Sequence, residues 1–294
     1  MSPLPSLPPP RGDKPVLKPV LKYRGSKWRL APWIISHFPD PATYTTYIEP
    51  FFGSGAVFFA KQPTRHEIIN DLSGDVVNLF TVIRDHGAVL AALAQMTPWA
   101  RAEYEASYAP VASPDDERLE AARRFLVRCW QAQHLDFTRQ TAWRHHGAST
   151  HSAMTGLWAQ LPDRLLAVVA RLKAAEIECR PALEVIARNA QPDVLLYVDP
   201  PYVLTTRGRR KLYRNELSDA DHLTLLDVLD AHPGPVVLSG YPNRLYAERL
   251  MHWQYAESPA IAEGGKRRTE ALWIKARVSL TPEPQDGQPE RLRL

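Results

Sequence analysis

A run of five apolar residues, Val194-Leu195-Leu196-Tyr197-Val198, ends in Asp199-Pro200-Pro201-Tyr202. A short β-prone run of this kind is the pattern of a buried strand. The two prolines that follow have fixed φ angles and carbonyls but no N–H donors, so the strand gives way to a stiff turn. In an open α/β sheet, ligands bind at the carboxyl ends of strands. There the Asp199 carboxylate and the Pro200 carbonyl form a pair of acceptors beside the Tyr202 ring. That set suits a flat, amine-bearing substrate such as a nucleobase.

The rest of the chain supports a sheet of this class. Strand-like runs occupy residues 44–49, 67–70, 235–239 and 270–275, with helical spacing over 74–84 and 222–230. Alternation of this kind argues for a mostly parallel sheet with helices on its faces. Residues 117–132 and 157–175 have helical periodicity, and no clear strand occurs between residue 85 and Ile177. Aromatic, His and Arg side chains collect between those two helical stretches. The expected organisation is therefore a proline-rich tail (1–19), an α/β domain in two pieces (20–84 and 181–280), a mainly helical insertion (85–180) and a polar C-terminal tail (281–294).

Composition narrows the class. No run reaches the roughly 18 consecutive apolar residues of a membrane span, and the proline-rich start has no apolar signal core, so a cytoplasmic protein is expected. Cys129 and Cys179 form no metal-ligand spacing and no disulfide framework, which also points to a reducing compartment. The net charge of +4 and a pI of about 9.0 lean toward a polyanionic partner.

Four stretches carry chemistry. Glu49-Pro50-Phe51-Phe52-Gly53-Ser54-Gly55 follows a strand and precedes an apolar helix start, and its glycines would let backbone approach a nucleotide-like ligand. Asp71 lies about 20 residues further on, where nucleotide-binding α/β folds place an acid on ribose hydroxyls; alone it would read as a helix N-cap, but paired with the glycine turn at this spacing it reads as the ribose acid. Lys22-Tyr23-Arg24-Gly25-Ser26-Lys27 offers a ring, a flexible turn and cations. The fourth is the Asp199–Tyr202 tetrapeptide. Arg207, Arg209, Arg210, Lys211 and Arg214 then form a basic segment suited to phosphates or to plain solvation. In the insertion, Arg139, Trp143, Arg144, His145 and His146 are candidates for nucleic-acid contact, and Trp130 reads as helix core. His134, His145 and His146 lie close in sequence, but no cysteine or carboxylate completes a metal set, and none is expected.

Taken in order, these motifs resemble the Dam-type family of adenine-specific DNA methyltransferases, particularly its short phage- and prophage-like members. The resemblance covers most of residues 21–275. Residues 22–27 resemble the family's Lys-Trp-x-Gly-Gly-Lys element, with Tyr23 for Trp and Ser26 for Gly. Residues 49–55 resemble its Phe-x-Gly-x-Gly loop, Asp71 its ribose-binding acid and Asp199–Tyr202 its catalytic tetrapeptide. Val236–Tyr241 and Thr269–Ile274 resemble later strands of its sheet. Segment 178–184 has no Asp where many members contact the cofactor's adenine. The resemblance implies a Rossmann-like S-adenosylmethionine-dependent methyltransferase sheet with an inserted target-recognition domain. It implies cofactor contacts from Tyr23, Lys27, Glu49, Pro50, Phe51, Gly53, Gly55, Asp71 and Asp199, with catalysis at Asp199, Pro200, Pro201 and Tyr202. Double-stranded DNA would be gripped by Arg139, Arg144, Arg207, Arg209, Arg210 and Lys211. A restriction endonuclease is a conceivable partner, and a monomer or weak dimer the expected state. RNA adenine methylation, a catalytically silent nucleic-acid-binding module and an unrelated nucleotide-binding enzyme stay open at this level.

Overall fold

The computed structural model describes residues 17–23, 25–111, 117–137, 139–145, 151–204, 216–261 and 267–276. Its strands are β1 Thr46–Glu49, β2 His66–Asn70, β3 Glu176–Glu178, β4 Val194–Val198, β5 Val236–Gly240, β6 Gln254–Ile261 and β7 Arg267–Lys275. They form one sheet in the order β3-β2-β1-β4-β5-β7-β6. Every pairing from β3 across to β5 is parallel, and β7 runs antiparallel to both β5 and β6. From β1 the chain moves outward to β2 and β3, then crosses back to β4 on the other side of β1. The carboxyl ends of β1 and β4 therefore flank a topological switch point, the place where an open α/β sheet leaves a crevice.

The helices are α1 Ala31–Ile35, α2 Ala56–Ala60, α3 Gly74–Met96, α4 Arg101–Ala106, α5 Glu117–Gln131, α6 His151–Ala159, α7 Leu161–Lys173, α8 Ala182–Arg188, α9 Asp219–Ala231 and α10 Arg244–Arg249. Side chains alternate across the buried strand β4. Leu195 and Tyr197 join a core with α3, α5 and α7, while Leu196 and Val198 face α8, α9 and α10. Burial on both faces explains why this strand reads as an unbroken apolar run.

Several elements depart from the sequence expectation. The helix expected over 74–84 continues to Met96 through a bend at His86 (φ −132°, ψ 29°). The next residue shows what the bend accommodates: a Cβ on Gly87 would lie 2.5 Å from Val169 Cγ2 of α7. By length and composition alone α3 could cross a membrane; here Val76, Leu79, Phe80, Ile83 and Leu90 pack into the core. Periodicity over 157–175 is split at Gln160, because Pro162 starts a new helix more readily than it continues one. β6 was not anticipated. Residue 85 falls within α3, and β3 falls within 85–180, so neither expected border of the insertion coincides with an element end. The chain is also anchored before residue 20. Leu17 packs on the core, Arg164 donates to the Pro19 carbonyl at 3.3 Å, and buried Trp130 donates to the Val20 carbonyl at 3.0 Å.

Candidate active site

Because β1, β2, β4 and β5 are parallel, their last residues reach one edge of the sheet. Those residues and their immediate followers are Glu49, Asp71, Asp199 and Ser239-Gly240. Register fixes the neighbours: Val198 pairs with Leu238, so Asp199 lies level with Ser239. Antiparallel β7 enters from the same edge, with Ala271 opposite Gly240, which brings Glu270 to the site.

Asp199 is held at both oxygens. Lys27 Nζ donates to Oδ2 at 2.8 Å, and Ser239 Oγ donates to Oδ1 at 2.8 Å. Each oxygen keeps a lone pair for a further donor. The Asp199 side chain is 19% exposed, so a ligand can reach it, whereas that of Lys27 is 6% exposed. Tyr197 and Ser239 hydroxyls lie 3.2 Å apart behind the carboxylate. Lys27 also lies 3.7 Å from Glu270 Oε1 and 4.8 Å from the Tyr202 ring centre. Tyr202 donates its hydroxyl to Glu270 and meets Tyr241 edge-on at 4.7 Å. Burial and the charges of Asp199 and Glu270 push the Tyr202 phenol well up, so it stays a donor. Burial also raises Glu270, against the pull of Lys27.

The glycine turn and Asp71 meet directly. Gly53 N–H donates to Asp71 Oδ2 at 2.8 Å and Ser73 N–H to Oδ1 at 2.8 Å. Burial lifts the Asp71 carboxyl, and these two bonds oppose it. Gly53 and Gly55 both have left-handed φ, 50° and 65°. A Cβ on Gly53 would sit 3.2 Å from the Tyr23 ring, so Tyr23 lies over this turn. On Gly55 it would be 2.3 Å from Phe52 Cζ, so internal ring packing and backbone shape already require glycine there. Ser26 and Ser54 hydroxyls, 2.8 Å apart, tie the 22–27 segment to the turn. Asn70 spans the base of the crevice, donating to the carbonyls of Pro50 and Arg180 at 2.9 and 3.0 Å. Phe51 faces the opposite core, beside α8 and α9. Glu49 is buried and accepts the Tyr47 hydroxyl at 2.6 Å. Burial lifts its carboxyl to about 8, despite that bond and the charge of Lys61.

Ala132 and Trp143 pair in an isolated antiparallel bridge, and residues 133–137 and 139–142 lie between them. The exposed side chains of this loop include Gln133, His134, Arg139 and Gln140, with His145 just beyond. Arg139, 70% exposed, pairs with Asp136 at 3.1 Å. The Arg144 guanidinium donates to the Ala132 and Gln133 carbonyls at 3.1 and 2.8 Å and so helps to hold the loop. Phe137, from this loop, packs on Tyr23 at 4.8 Å. Arg207, Arg209, Arg210, Lys211, Arg214, Arg24 and His146 lie outside the described residues.

The structure thus brings Lys27, Glu49, Gly53, Asp71, Asp199 and Tyr202 to one edge, and adds Ser239, Tyr241 and Glu270. The signals for the additions were faint. Ser239-Gly240-Tyr241 ends a strand just as Asp199 does, and Glu270 is an acid beside the apolar residues of β7.

Comparison with known proteins agrees with this geometry. Residues 23–254 match the family described as D12 class N6 adenine-specific DNA methyltransferase. The chain is 26% identical over 266 residues to the Type II methyltransferase M1.LlaDCHI of Lactococcus lactis subsp. cremoris, covering 85% of this chain and 90% of that protein. A stretch of 73 residues, 24% of each chain, is 41% identical to the DNA adenine methylase of Haemophilus influenzae. A solved SAM-dependent methyltransferase from Agrobacterium tumefaciens has 13% identity and a TM-score of 0.38, over 84% of this chain and 61% of that one. The seven-stranded sheet with its switch point at β1 and β4 is a Rossmann-like arrangement, and the family match implies S-adenosylmethionine as the methyl donor. With the motifs in order and the family match spanning most of its length, this chain belongs to the D12 class of N6 adenine-specific DNA methyltransferases.

Proposed function

We propose that Asp199, the Pro200 carbonyl and Tyr202 hold an adenine turned out of double-stranded DNA while its exocyclic amino nitrogen is methylated. The observation that carries this is Asp199 itself, a solvent-reaching carboxylate fixed at both oxygens beside a ring. The amino nitrogen is a poor nucleophile because its lone pair is delocalised into the ring. Acceptance of its two hydrogens by Asp199 and Pro200 favours a more tetrahedral nitrogen with that lone pair available. Tyr202 stacks on the ring, Pro201 stiffens the turn, and Lys27 and Ser239 keep the carboxylate oriented. Extrusion of the base costs a few kcal/mol, offset by stacking and hydrogen bonds in the pocket. Once methylated, the nitrogen sheds one proton, which Asp199 can pass to solvent along its exposed edge. Orientation carries much of the acceleration.

The residues present fit the donor. Both Asp71 oxygens keep a lone pair for ribose hydroxyls after accepting from Gly53 and Ser73. Gly53 stands beside Asp71 with Tyr23 over it, and in the same reading Lys27, Gly55 and the 49–51 segment also serve the cofactor. When bound, S-adenosylmethionine supplies a methyl group already activated by its sulfonium charge.

Residues 85–180 form the target-recognition part, with the 132–143 loop as its reader and Arg207, Arg209, Arg210 and Lys211 as a second grip on phosphate. Arg139 suits DNA because its exposed pair with Asp136 is weak and exchanges readily. Arg144 serves by shaping the loop. Arg139→Ala should weaken DNA binding several-fold and reduce the slope of log affinity against log salt by about 1. A titration with the wild-type slope would remove Arg139 from the interface. In this reading a restriction endonuclease for the same sequence can accompany the chain. The chain itself acts in the cytoplasm as a monomer or weak dimer.

Expression in a methylation-free host, followed by single-molecule sequencing, tests the function. N6-methyladenine at one recurring sequence is the expected outcome. Unmodified DNA from cells containing the folded protein would overturn it.

A further inference from the structure

We propose that Glu270 is a positioning residue for methyl transfer, fixing the Tyr202 ring through its hydroxyl. Glu270 is 4% exposed and begins the buried stretch of β7, Glu270–Trp273. A carboxylate in such a place is costly unless it is paired. Its hydrogen bond goes to Tyr202. Its distance to Lys27 Nζ is 3.7 Å, whereas Asp199 takes that ammonium at 2.8 Å. Lys27 thus lies closer to Asp199, while Glu270 answers both the Lys27 charge and, by its shorter contact, the Tyr202 phenol.

The geometry gives that bond a purpose. Tyr202 follows two prolines, so its backbone end is stiff, but its side chain can still turn about χ1 and χ2. Tyr241 blocks one edge of the ring at 4.7 Å. Glu270 pins the far end, and Lys27 lies 4.8 Å from the ring centre. A ring held at its root, edge and tip presents one orientation to a base. Phe in place of Tyr202 would offer the same face without the tip anchor.

This inference rests on Asp199–Tyr202 being where the adenine is held, and its test separates the two. Methyl incorporation into unmethylated genomic DNA is measured at saturating S-adenosylmethionine for the wild type, Glu270→Ala, Glu270→Gln, Tyr202→Phe and the Tyr202→Phe/Glu270→Ala double variant. Calorimetry gives cofactor affinity, and circular dichroism confirms folding. Glu270→Ala should lower kcat about 10- to 100-fold, with cofactor Kd within about threefold of wild type. Glu270→Gln, which keeps an acceptor for the phenol, should recover to within about fivefold. In the Tyr202→Phe background, Glu270→Ala should cost less than about threefold more, because the two changes remove one interaction. Wild-type kcat in folded Glu270→Ala and Glu270→Gln overturns the proposal, as does a full, independent loss in the double variant. An inactive Asp199→Ala beside an unaffected Glu270→Ala would leave the base-holding site standing and remove only Glu270. An active Asp199→Ala would remove both.

Discussion

Asp199→Ala is expected to lower methyl transfer by about 10³-fold or more while the protein still binds S-adenosylmethionine within about tenfold of wild type. The change deletes the solvent-reaching carboxylate at the end of β4, the proposed acceptor of an amino hydrogen. It also leaves Lys27 without its 2.8 Å partner, although Glu270 remains 3.7 Å away. Some loss of stability should follow, because an uncompensated buried charge is expensive. Asp199→Asn separates that loss from the chemistry. Its amide has one acceptor oxygen, which must face Lys27, because an amide NH₂ cannot accept from an ammonium. The NH₂ then faces Ser239, whose hydroxyl can turn to accept. Asn should therefore restore most of the stability and little of the rate. Methyl incorporation and thermal melting on the three proteins check this. Either folded variant transferring methyl at the wild-type rate would sink the assignment of Asp199.

The candidate edge was legible because its chemistry sits beside local signals. An apolar run followed by Asp-Pro-Pro-Tyr marks a strand end with an acid just beyond it, and in the fold β4 ends at Val198 with a partly exposed Asp199 side chain. The glycine turn and Asp71 were readable as a pair from their spacing, and Gly53 N–H does bond Asp71. What was not legible depends on pairings distant in sequence. Glu270 reaches Tyr202 across 68 residues, and Ser239 reaches Asp199 across 40. Only the antiparallel placement of β7 and the register of β5 bring them there. The His86 bend was hidden for a similar reason, since only the approach of α7 makes Gly87 intelligible. Gly55 shows how a motif can be right for another cause: Phe52 and Phe59 fill the space a side chain would need. Arg144 has a structural part that its residue type did not announce, because two of its donors hold the loop together.

Glu49→Gln should make the protein more stable at alkaline pH and nearly neutral in effect near pH 5. Burial raises the Glu49 carboxyl from 4.5 to about 8, with the Tyr47 hydrogen bond and Lys61 opposing and Asp199 adding to the rise. Between those values the unfolded chain has released the proton and the folded chain still holds it. Stability from this group is therefore complete below the unfolded value and falls as pH climbs through the folded one. The full span amounts to about 5 kcal/mol at most, taking about 1.4 kcal/mol per pH unit. Gln cannot ionise, yet it keeps an oxygen that can accept the Tyr47 hydroxyl. Asp71 and Glu270 are shifted the same way, but they remain in both proteins, so the difference between the two isolates Glu49. Urea midpoints at about pH 5, 7 and 8.5 should show the gap widening with pH. Parallel profiles would mean that Glu49 is ionised in the folded protein. The protonated form also bears on the site: with Glu49 neutral, Asp199 and Glu270 are the carboxylates that share Lys27. Ionising Glu49 adds a negative charge beside Asp199, so the acid that holds the amino group works best while its neighbour keeps its proton.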